Sequence, residues 1–336
     1  MSQSLPRTVA QLLTGAGAAG SAALLWLSVR RRPVPVERRI PEPPPNLPPG
    51  TVVHVPGYGE FFVRDTGAPA DRPDAPPIVL LHGWMFSADV TWFTCYEELA
   101  RYGRVIAADH RGHGRGPRPI EPFRLADVAD DVAALLRHLG VDSAVVVGYS
   151  MGGTIAQLFW HRHPELVRGL ILAATSASFS VDARDRWAWR MMGALQLILR
   201  VFPRDMWERA AHAQAKSKSN IRLSRLISPA TPAEVIELLP WITGELSRDS
   251  AEDVAEAGRE MGRFDARGWL GTVDVPTAVL ITGDDGLVAP ANQRDLAARV
   301  PDCYVEELAI DHDGVVSRPD VFVPALVKAV QQVLNA

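Results

Sequence analysis

The stretch that decides the fold is Ala144-Val145-Val146-Val147-Gly148-Tyr149-Ser150-Met151-Gly152-Gly153. Its apolar beginning predicts a buried strand, and residues 153–163 after it predict a helix that Pro164 ends. The turn between them fits the pattern Gly-x-Ser-x-Gly, in which a strained turn lifts the serine hydroxyl above the sheet. Glycines two residues either side leave room where the chain passes close to itself. The pattern predicts a nucleophilic Ser150; the alternative is an ordinary serine in a glycine-rich turn.

Strands and helices alternate along most of the chain. Short apolar runs predict buried strands, and apolar residues repeated every three or four positions predict helices. The predicted strands are 51–55, 60–64, 78–81, 105–108, 144–147, 170–172, 278–281 and 303–308, and the predicted helices are 125–139, 153–163 and 321–334. The first two strands form an antiparallel hairpin. The order predicts an α/β fold with a doubly wound, mostly parallel sheet.

Residues 179–269 interrupt this alternation. They show no strand signal, and runs such as 186–202 and 231–241 have helical spacing and carry several tryptophans. We therefore predict a helical subdomain inserted between two strands of the sheet.

Two more motifs follow predicted strands. His82-Gly83-Trp84 follows the strand 78–81, and Asp109-His110-Arg111-Gly112-His113-Gly114 follows the strand 105–108. Together with the serine turn, and in this order, they resemble the motifs of serine esterases of the α/β-hydrolase fold. The resemblance extends from Thr51 to the C-terminus, and it implies that the inserted helices form a cap.

A tetrahedral intermediate at Ser150 needs two donors aimed at its oxyanion. The backbone N–H of Met151 is predicted by its position at the start of the helix. The resemblance implies that the backbone N–H of Trp84 is the second donor. The side chains of His82 and Trp84 have a simpler interpretation as loop-packing residues, which we prefer for His82. His110 or His113 would be an alternative general base, although the family uses that turn structurally.

A serine hydroxyl needs a base, and the base needs a carboxylate to orient it. In this fold the chain order is Ser, then Asp or Glu, then His. His312 lies between the last predicted strand and helix, where the family places its catalytic histidine, and no histidine other than His312 follows His212. The alternative is a surface histidine between two solvated aspartates.

The acid follows the strand 278–281, where both Asp284 and Asp285 occur. Family members commonly have an aspartate three residues after the glycine, and here Gly286 occupies that position. Counted back from Val288, Asp285 has the usual spacing, so we predict Asp285 as the acid and keep Asp284 as the alternative. Asp311 and Asp313 are too close to the histidine in sequence to be favoured.

The N-terminal residues 9–29 carry no charge and are long enough to cross a membrane as a helix. Arginines at 30–32 follow the run, which would keep the C-terminal side in the cytoplasm and argues against a cleaved signal peptide. The alternative is an Ala/Gly-rich surface helix on a soluble cytoplasmic protein. Residues 33–49 contain eight prolines and predict a stiff, extended spacer.

These observations divide the chain into a membrane anchor (1–32), a proline-rich linker (33–50), two parts of the core (51–178 and 270–336) and a cap (179–269).

Composition excludes some classes of function. A net charge of −4 without a clustered basic face gives no reason to expect a nucleic-acid partner. The only two cysteines, Cys95 and Cys303, lack metal-ligand spacing and are predicted to be free thiols. No motif suggests a metal or an organic cofactor, and the oligomeric state is left open.

The predicted activity is that of a carboxylesterase or lipase acting on a small-molecule or lipid ester through an acyl-enzyme. Carbon–carbon bond hydrolysis, acyl transfer and perhydrolysis are alternatives on the same machinery. A non-catalytic binding protein on this scaffold is the alternative from another class, and it would be expected to have lost its triad. A serine nucleophile disfavours the branches of the fold that use aspartate.

Overall fold

The computed structural model describes residues 40–181, 185–191, 193–194 and 230–336. Eight strands form one sheet in the order β1-β2-β4-β3-β5-β6-β7-β8. The strands are β1 Gly50–Val55, β2 Gly59–Asp65, β3 Ile78–Leu81, β4 Val105–Ala108, β5 Ala144–Tyr149, β6 Val167–Ala173, β7 Thr277–Thr282 and β8 Tyr304–Leu308. The first two strands pair antiparallel, β2 pairs antiparallel with β4, and all other neighbours are parallel. This arrangement confirms the predicted fold class.

Helices connect the strands from β3 onward, and two helices follow the last strand. They are α1 Ala88–Trp92, α2 Tyr96–Leu99, α3 Leu125–His138, α4 Met151–Arg162, α5 Ala233–Glu237, α6 Leu239–Leu246, α7 Ala251–Met261, α8 Pro290–Arg299, α9 Gly314–Ser317 and α10 Pro319–Asn335. The four short or polar helices α1, α2, α8 and α9 were not predicted, because their sequences carry too few apolar repeats to show a helical period.

The core has two parts, one on each face of the sheet. In β5, Val146 belongs to one part and Val145 and Val147 to the other, so that successive side chains alternate between two buried faces. Helices α3 and α4 cover the first face, and α1, α2 and α10 cover the second. A strand buried on both faces is usually an almost continuous apolar run, which is why the runs of valine were such clear strand signals.

Between β6 and β7 the described residues are helical at 185–191 and in α5, α6 and α7. The helical run predicted at 231–241 is helical from Ala233, but it is divided into α5 and α6 at Leu238. Pro240 lies in the first turn of α6, where a missing N–H is tolerated, whereas the interior of a continuous helix would lose a hydrogen bond. Most of the helix predicted at 186–202 lies outside the described residues.

The chain before β1 contacts both the sheet and the inserted helices. Ile40 packs against Gly244 of α6, where a side-chain carbon would lie 2.6 Å from Ile40 Cγ2. Farther along, the Arg64 guanidinium donates to the carbonyl oxygen of Pro48 at 2.6 Å. The end of the predicted proline-rich spacer is therefore packed onto the folded protein.

The membrane helix predicted at 9–29 lies outside the described residues. Within the part of the chain that the structure describes, no helix has the length and apolarity needed to cross a membrane.

Candidate active site

The nucleophile candidate Ser150 stands between β5 and α4, as its sequence context predicts. Its backbone has φ 55°, a left-handed conformation that is uncommon for any residue except glycine. Its N–H donates to the carbonyl oxygen of Ala173 in β6 at 2.9 Å, which ties the turn to the neighbouring strand. The surrounding sheet thus holds a strained turn of the kind that the fold uses to present a side chain.

The two glycines of the motif are required by close backbone contacts. A Cβ on Gly148 would lie 2.3 Å from the carbonyl oxygen of Gly152, and a Cβ on Gly152 would lie 2.0 Å from that of Leu81. Backbone atoms cannot move aside as a flexible side chain can. Any larger residue would therefore force the turn open.

Ser150, His312 and Asp285 form one hydrogen-bonded chain. His312 Nε2 lies 3.0 Å from Ser150 Oγ, and His312 Nδ1 lies 2.7 Å from Asp285 Oδ2. All three residues are buried, with exposures of 5%, 7% and 6% for the serine, the histidine and the aspartate. The three loops that carry them follow β5, β7 and β8, whose carboxyl ends meet at one edge of the sheet. The structure therefore brings the three predicted residues together.

Five donors fix the Asp285 carboxylate. Oδ1 accepts the backbone N–H groups of Leu287 and Val288 at 2.8 and 2.7 Å. Oδ2 accepts the Thr282 hydroxyl at 2.7 Å and the Gln293 amide at 3.0 Å, in addition to His312. Burial alone would raise the pKa of Asp285, but the hydrogen bond and charge of His312, with these donors, hold that pKa below its usual value.

The neighbouring Asp284 is exposed, and its backbone N–H bonds to Ile310. Its side chain does not take the place of Asp285 beside His312. The spacing from Val288 thus identified the aspartate that contacts the histidine.

The loop of His312 is tied down on both sides. Asp311 Oδ1 accepts the backbone N–H of His312 at 2.7 Å and that of Gly286 at 2.9 Å, which joins the two loops that carry Asp285 and His312. The Tyr149 hydroxyl donates to the carbonyl oxygen of His312. Burial lowers the pKa of His312, but the hydrogen bond and charge of Asp285 outweigh burial and raise that pKa above its usual value.

The loop after β3 packs on the serine turn. A Cβ on Gly83 would lie 3.6 Å from Ser150 Cβ, so the backbone of this loop adjoins Ser150. The N–H of Phe86 bonds to the carbonyl oxygen of Gly83 at 3.4 Å, and Met85 has φ 66°. A positive φ at the third position is the requirement of a type II turn. This turn fixes the backbone of Trp84, and Met151 begins α4 on the other side of Ser150.

The three histidines near this loop form a buried cluster. The backbone N–H of His110 donates to His82 Nε2 at 2.9 Å, and the two rings stack with centroids 3.9 Å apart. The His113 ring contacts His82 edge-on at 5.6 Å. Burial lowers the pKa of all three, that of His113 to about 3. Their packing role matches the interpretation of His82, and the hydrogen-bond partner of Ser150 is His312 rather than His110 or His113.

Residues Thr282 and Gln293 were missed by the sequence analysis. Both are buried and contact Asp285, but a threonine that ends a strand and a glutamine in a polar helix carry no distinctive signal.

A serine beside a buried imidazole that is oriented by an ionised carboxylate is the arrangement of nucleophilic hydrolases. Comparison with known proteins agrees with this class: residues 76–315 match the model of the alpha/beta hydrolase fold family. The chain therefore belongs to the α/β-hydrolase fold family, as its motifs predicted.

Its relatives include several named enzymes. The chain is 26% identical over 278 residues to a poly(3-hydroxyalkanoate) depolymerase of Ectopseudomonas oleovorans. The aligned region covers 78% of this chain and 86% of the relative. It is 27% identical over 231 residues to 3-oxoadipate enol-lactonase 2 of Acinetobacter baylyi, and that alignment covers 69% of this chain and 79% of the relative. A solved hydrolase structure from Pseudomonas aeruginosa PA01 superposes with a TM-score of 0.67 at 25% identity, over 85% of this chain and 98% of that one. These similarities confirm the prediction of an enzyme of the hydrolase class.

Proposed function

We propose that the protein is a serine hydrolase that cleaves carboxylic esters, with Ser150, His312 and Asp285 as its catalytic triad. The observation that carries the proposal is the continuous hydrogen-bonded chain from Ser150 Oγ through both nitrogens of His312 to Asp285. The raised pKa of His312 indicates that the carboxylate stabilises an imidazolium in this site.

The reaction would proceed in two steps. Ser150 Oγ attacks the carbonyl carbon while His312 Nε2 takes its proton, and collapse of the intermediate expels the alcohol, which receives that proton. Water then attacks the acyl-enzyme with the same histidine as base, and the acid leaves as Ser150 recovers its proton. The backbone N–H groups of Met151 and Trp84 would hold the oxyanion in both steps.

Ester hydrolysis is preferred to the other serine reactions because the relatives carry such names. One is named a depolymerase and another an enol-lactonase. A shared nucleophile does not distinguish ester hydrolysis from perhydrolysis or acyl transfer, so these reactions stay as alternatives. The division into a core, a cap at 179–269 and an N-terminal anchor also stays a prediction.

The test uses the full chain and a fluorophosphonate probe, followed by p-nitrophenyl esters from acetate to palmitate. We expect labelling and turnover in the wild type and the loss of both in Ser150→Ala and His312→Ala, with a decrease in kcat of at least about a thousandfold. Ser247→Ala and His138→Ala serve as matched controls, since Ser247 bonds only locally to Gly244 and His138 is exposed.

Repeating the assay with hydrogen peroxide or an alcohol acceptor separates hydrolysis from perhydrolysis and acyl transfer. A folded wild type that neither reacts with the probe nor turns over any ester would contradict the proposed function and favour a binding role.

A further inference from the structure

The side chain of Trp84 connects the loop after β3 to the inserted helices. Its indole Nε1 donates to the carbonyl oxygen of Val254 in α7 at 2.8 Å, across 170 residues of sequence. A carbonyl oxygen has two lone pairs, so Val254 can accept this bond in addition to one within the helix. The bond is directional, and it joins the loop beside Ser150 to a helix that lies between β6 and β7.

Helix α7 is itself attached to the core next to this bond. Asp253 Oδ2 lies 3.6 Å from Arg118 Nε, in the segment that follows β4. Just before α7, Asp249 Oδ1 accepts the backbone N–H of Gly114 at 2.7 Å. The turn after β4 therefore fixes the position of the first turn of α7. The Trp84 bond connects this same turn of α7 to the loop after β3.

The backbone of Trp84 is sensitive to such a link because the turn around it is strained. Met85 has φ 66° and needs its surroundings to keep a conformation that costs about 1 kcal/mol or more for a residue other than glycine. Trp84 is only half-buried, so packing alone restrains it less than it would a core residue. Because the Trp84 side chain is held at its indole nitrogen, it restrains the turn that orients the backbone N–H of Trp84.

We propose that the Trp84 side chain is a positioning residue, which aligns the oxyanion hole when α7 is seated on the core. This inference rests on the proposed function, because it assumes that the Trp84 backbone N–H binds the oxyanion. An oxyanion donor acts mainly in the transition state, so misalignment reduces kcat more than it changes KM.

The first test is Trp84→Phe, which keeps an aromatic ring and removes the indole N–H. We expect kcat for p-nitrophenyl esters to decrease about five- to tenfold, with KM changed less than about twofold. The affinity for a boronic acid, which forms a tetrahedral adduct with the serine, should decrease by the same factor as kcat/KM.

The matched control is Trp189→Phe. Its indole N–H also donates to a carbonyl oxygen at 2.8 Å, but the acceptor is Phe179, so the bond does not involve the loop after β3. The centroid of the Trp189 ring lies 6.0 Å from that of Trp84, and phenylalanine is chosen because it retains an aromatic ring for this contact while removing only the N–H. A general loss of packing among the inserted helices would affect both variants equally. The inference predicts that only Trp84→Phe lowers kcat and boronic-acid affinity together.

A second variant tests the attachment of α7. Asp253→Asn weakens the ion pair with Arg118, so it should reduce kcat in the same way, and the double variant with Trp84→Phe should lose less than the product of the two single losses. Multiplicative effects, a kcat of Trp84→Phe within twofold of the wild type, or equal losses in Trp84→Phe and Trp189→Phe would overturn the inference. Each of these outcomes requires an active wild type, so they differ from failure of the proposed function, in which the wild type itself is inactive.

Discussion

The side-chain amide of Gln293 donates to Oδ2 of Asp285 at 3.0 Å, and this is the same carboxylate oxygen that lies 2.7 Å from His312 Nδ1. The same amide nitrogen lies 2.8 Å from Val288 O and from Thr282 Oγ1. The oxygen of the Gln293 amide accepts the backbone N–H of Thr282 at 3.0 Å. One fully buried amide therefore joins the end of β7, the following loop and the carboxylate.

We expect Gln293→Leu to lower both stability and activity. The Thr282 N–H would lose its acceptor in a buried site, which typically costs about 1–3 kcal/mol, and Asp285 would lose one of its restraints. The predicted result is a lower midpoint of urea unfolding and a kcat reduced about tenfold. Gln331→Leu is the matched control, because that amide is on the surface and bonds to Tyr102. Wild-type kcat in Gln293→Leu would contradict a role for Gln293 in orienting Asp285.

The two adjacent aspartates allow a direct test of the acid. Asp285→Asn keeps the size of the side chain but removes the charge that stabilises a protonated His312, so kcat should decrease about 10³- to 10⁴-fold. Asp284→Asn should leave kcat within about twofold of the wild type, because Asp284 is exposed. Ester hydrolysis measured for both variants under saturating substrate decides the assignment. A larger loss in Asp284→Asn would reverse it.

The pH dependence of kcat/KM follows from the raised pKa of His312. The base must be neutral to accept the serine proton, so activity should increase with pH through a pKa above the ordinary value of about 6.5. Removing the Asp285 carboxylate removes the main cause of the raised pKa of His312. The acid limb of the residual activity of Asp285→Asn should therefore move to lower pH, and a limb that stays in place would show that His312 is not the titrating group.

The buried histidine cluster predicts a loss of stability in acid. The pKa of His110 is well below its usual value because of burial and the charges of His82 and His113. A histidine whose pKa is lower in the folded protein than in the unfolded chain is protonated more readily in the unfolded chain. Its contribution to the free energy of unfolding is therefore complete above about pH 6.5 and is lost as the pH falls. Asp249 acts in the opposite direction, since burial raises its pKa to about 7.

The free energy of unfolding in urea, measured from pH 7.5 to pH 4.5, separates these contributions. His110→Leu should show a shallower decrease towards acid than the wild type, because one group that must stay neutral has been removed. His54→Gln, at an exposed position, should keep the wild-type slope. Identical slopes for the wild type and His110→Leu would show that the cluster does not control acid stability.

Much of the sheet was predictable because burial on both faces leaves little freedom in sequence. The strands 78–81 and 105–108 were predicted with their observed limits, and β5 differs from its prediction only by Gly148 and Tyr149. Those two residues belong to the motif as well as to the strand, and hydropathy alone does not reveal that the pleat continues through a glycine.

The surroundings of the site were less predictable, because they depend on contacts between distant residues. The acceptor in the bond from Trp84 to Val254 is a backbone carbonyl oxygen. Every residue type has this group, so the sequence carries no signal for the bond. The division between α5 and α6 follows from Pro240, whose effect depends on whether a helix begins or continues at that point. Residue patterns identify candidate nucleophiles and bases, but not the groups that hold them.

The contact between Ile40 and Gly244 also determines how the folded protein would bear mechanical load. Going along the chain from residue 40, Ile40 contacts α6, the Pro48 carbonyl oxygen accepts from Arg64, and the ladder between β1 and β2 follows. A force applied upstream of residue 40, by a tether or an attached partner, would thus act on the inserted helices before it reaches the sheet. In a single-molecule pulling experiment, the contact of Ile40 with α6 would therefore break early, while the strands that carry the serine and histidine loops remained intact.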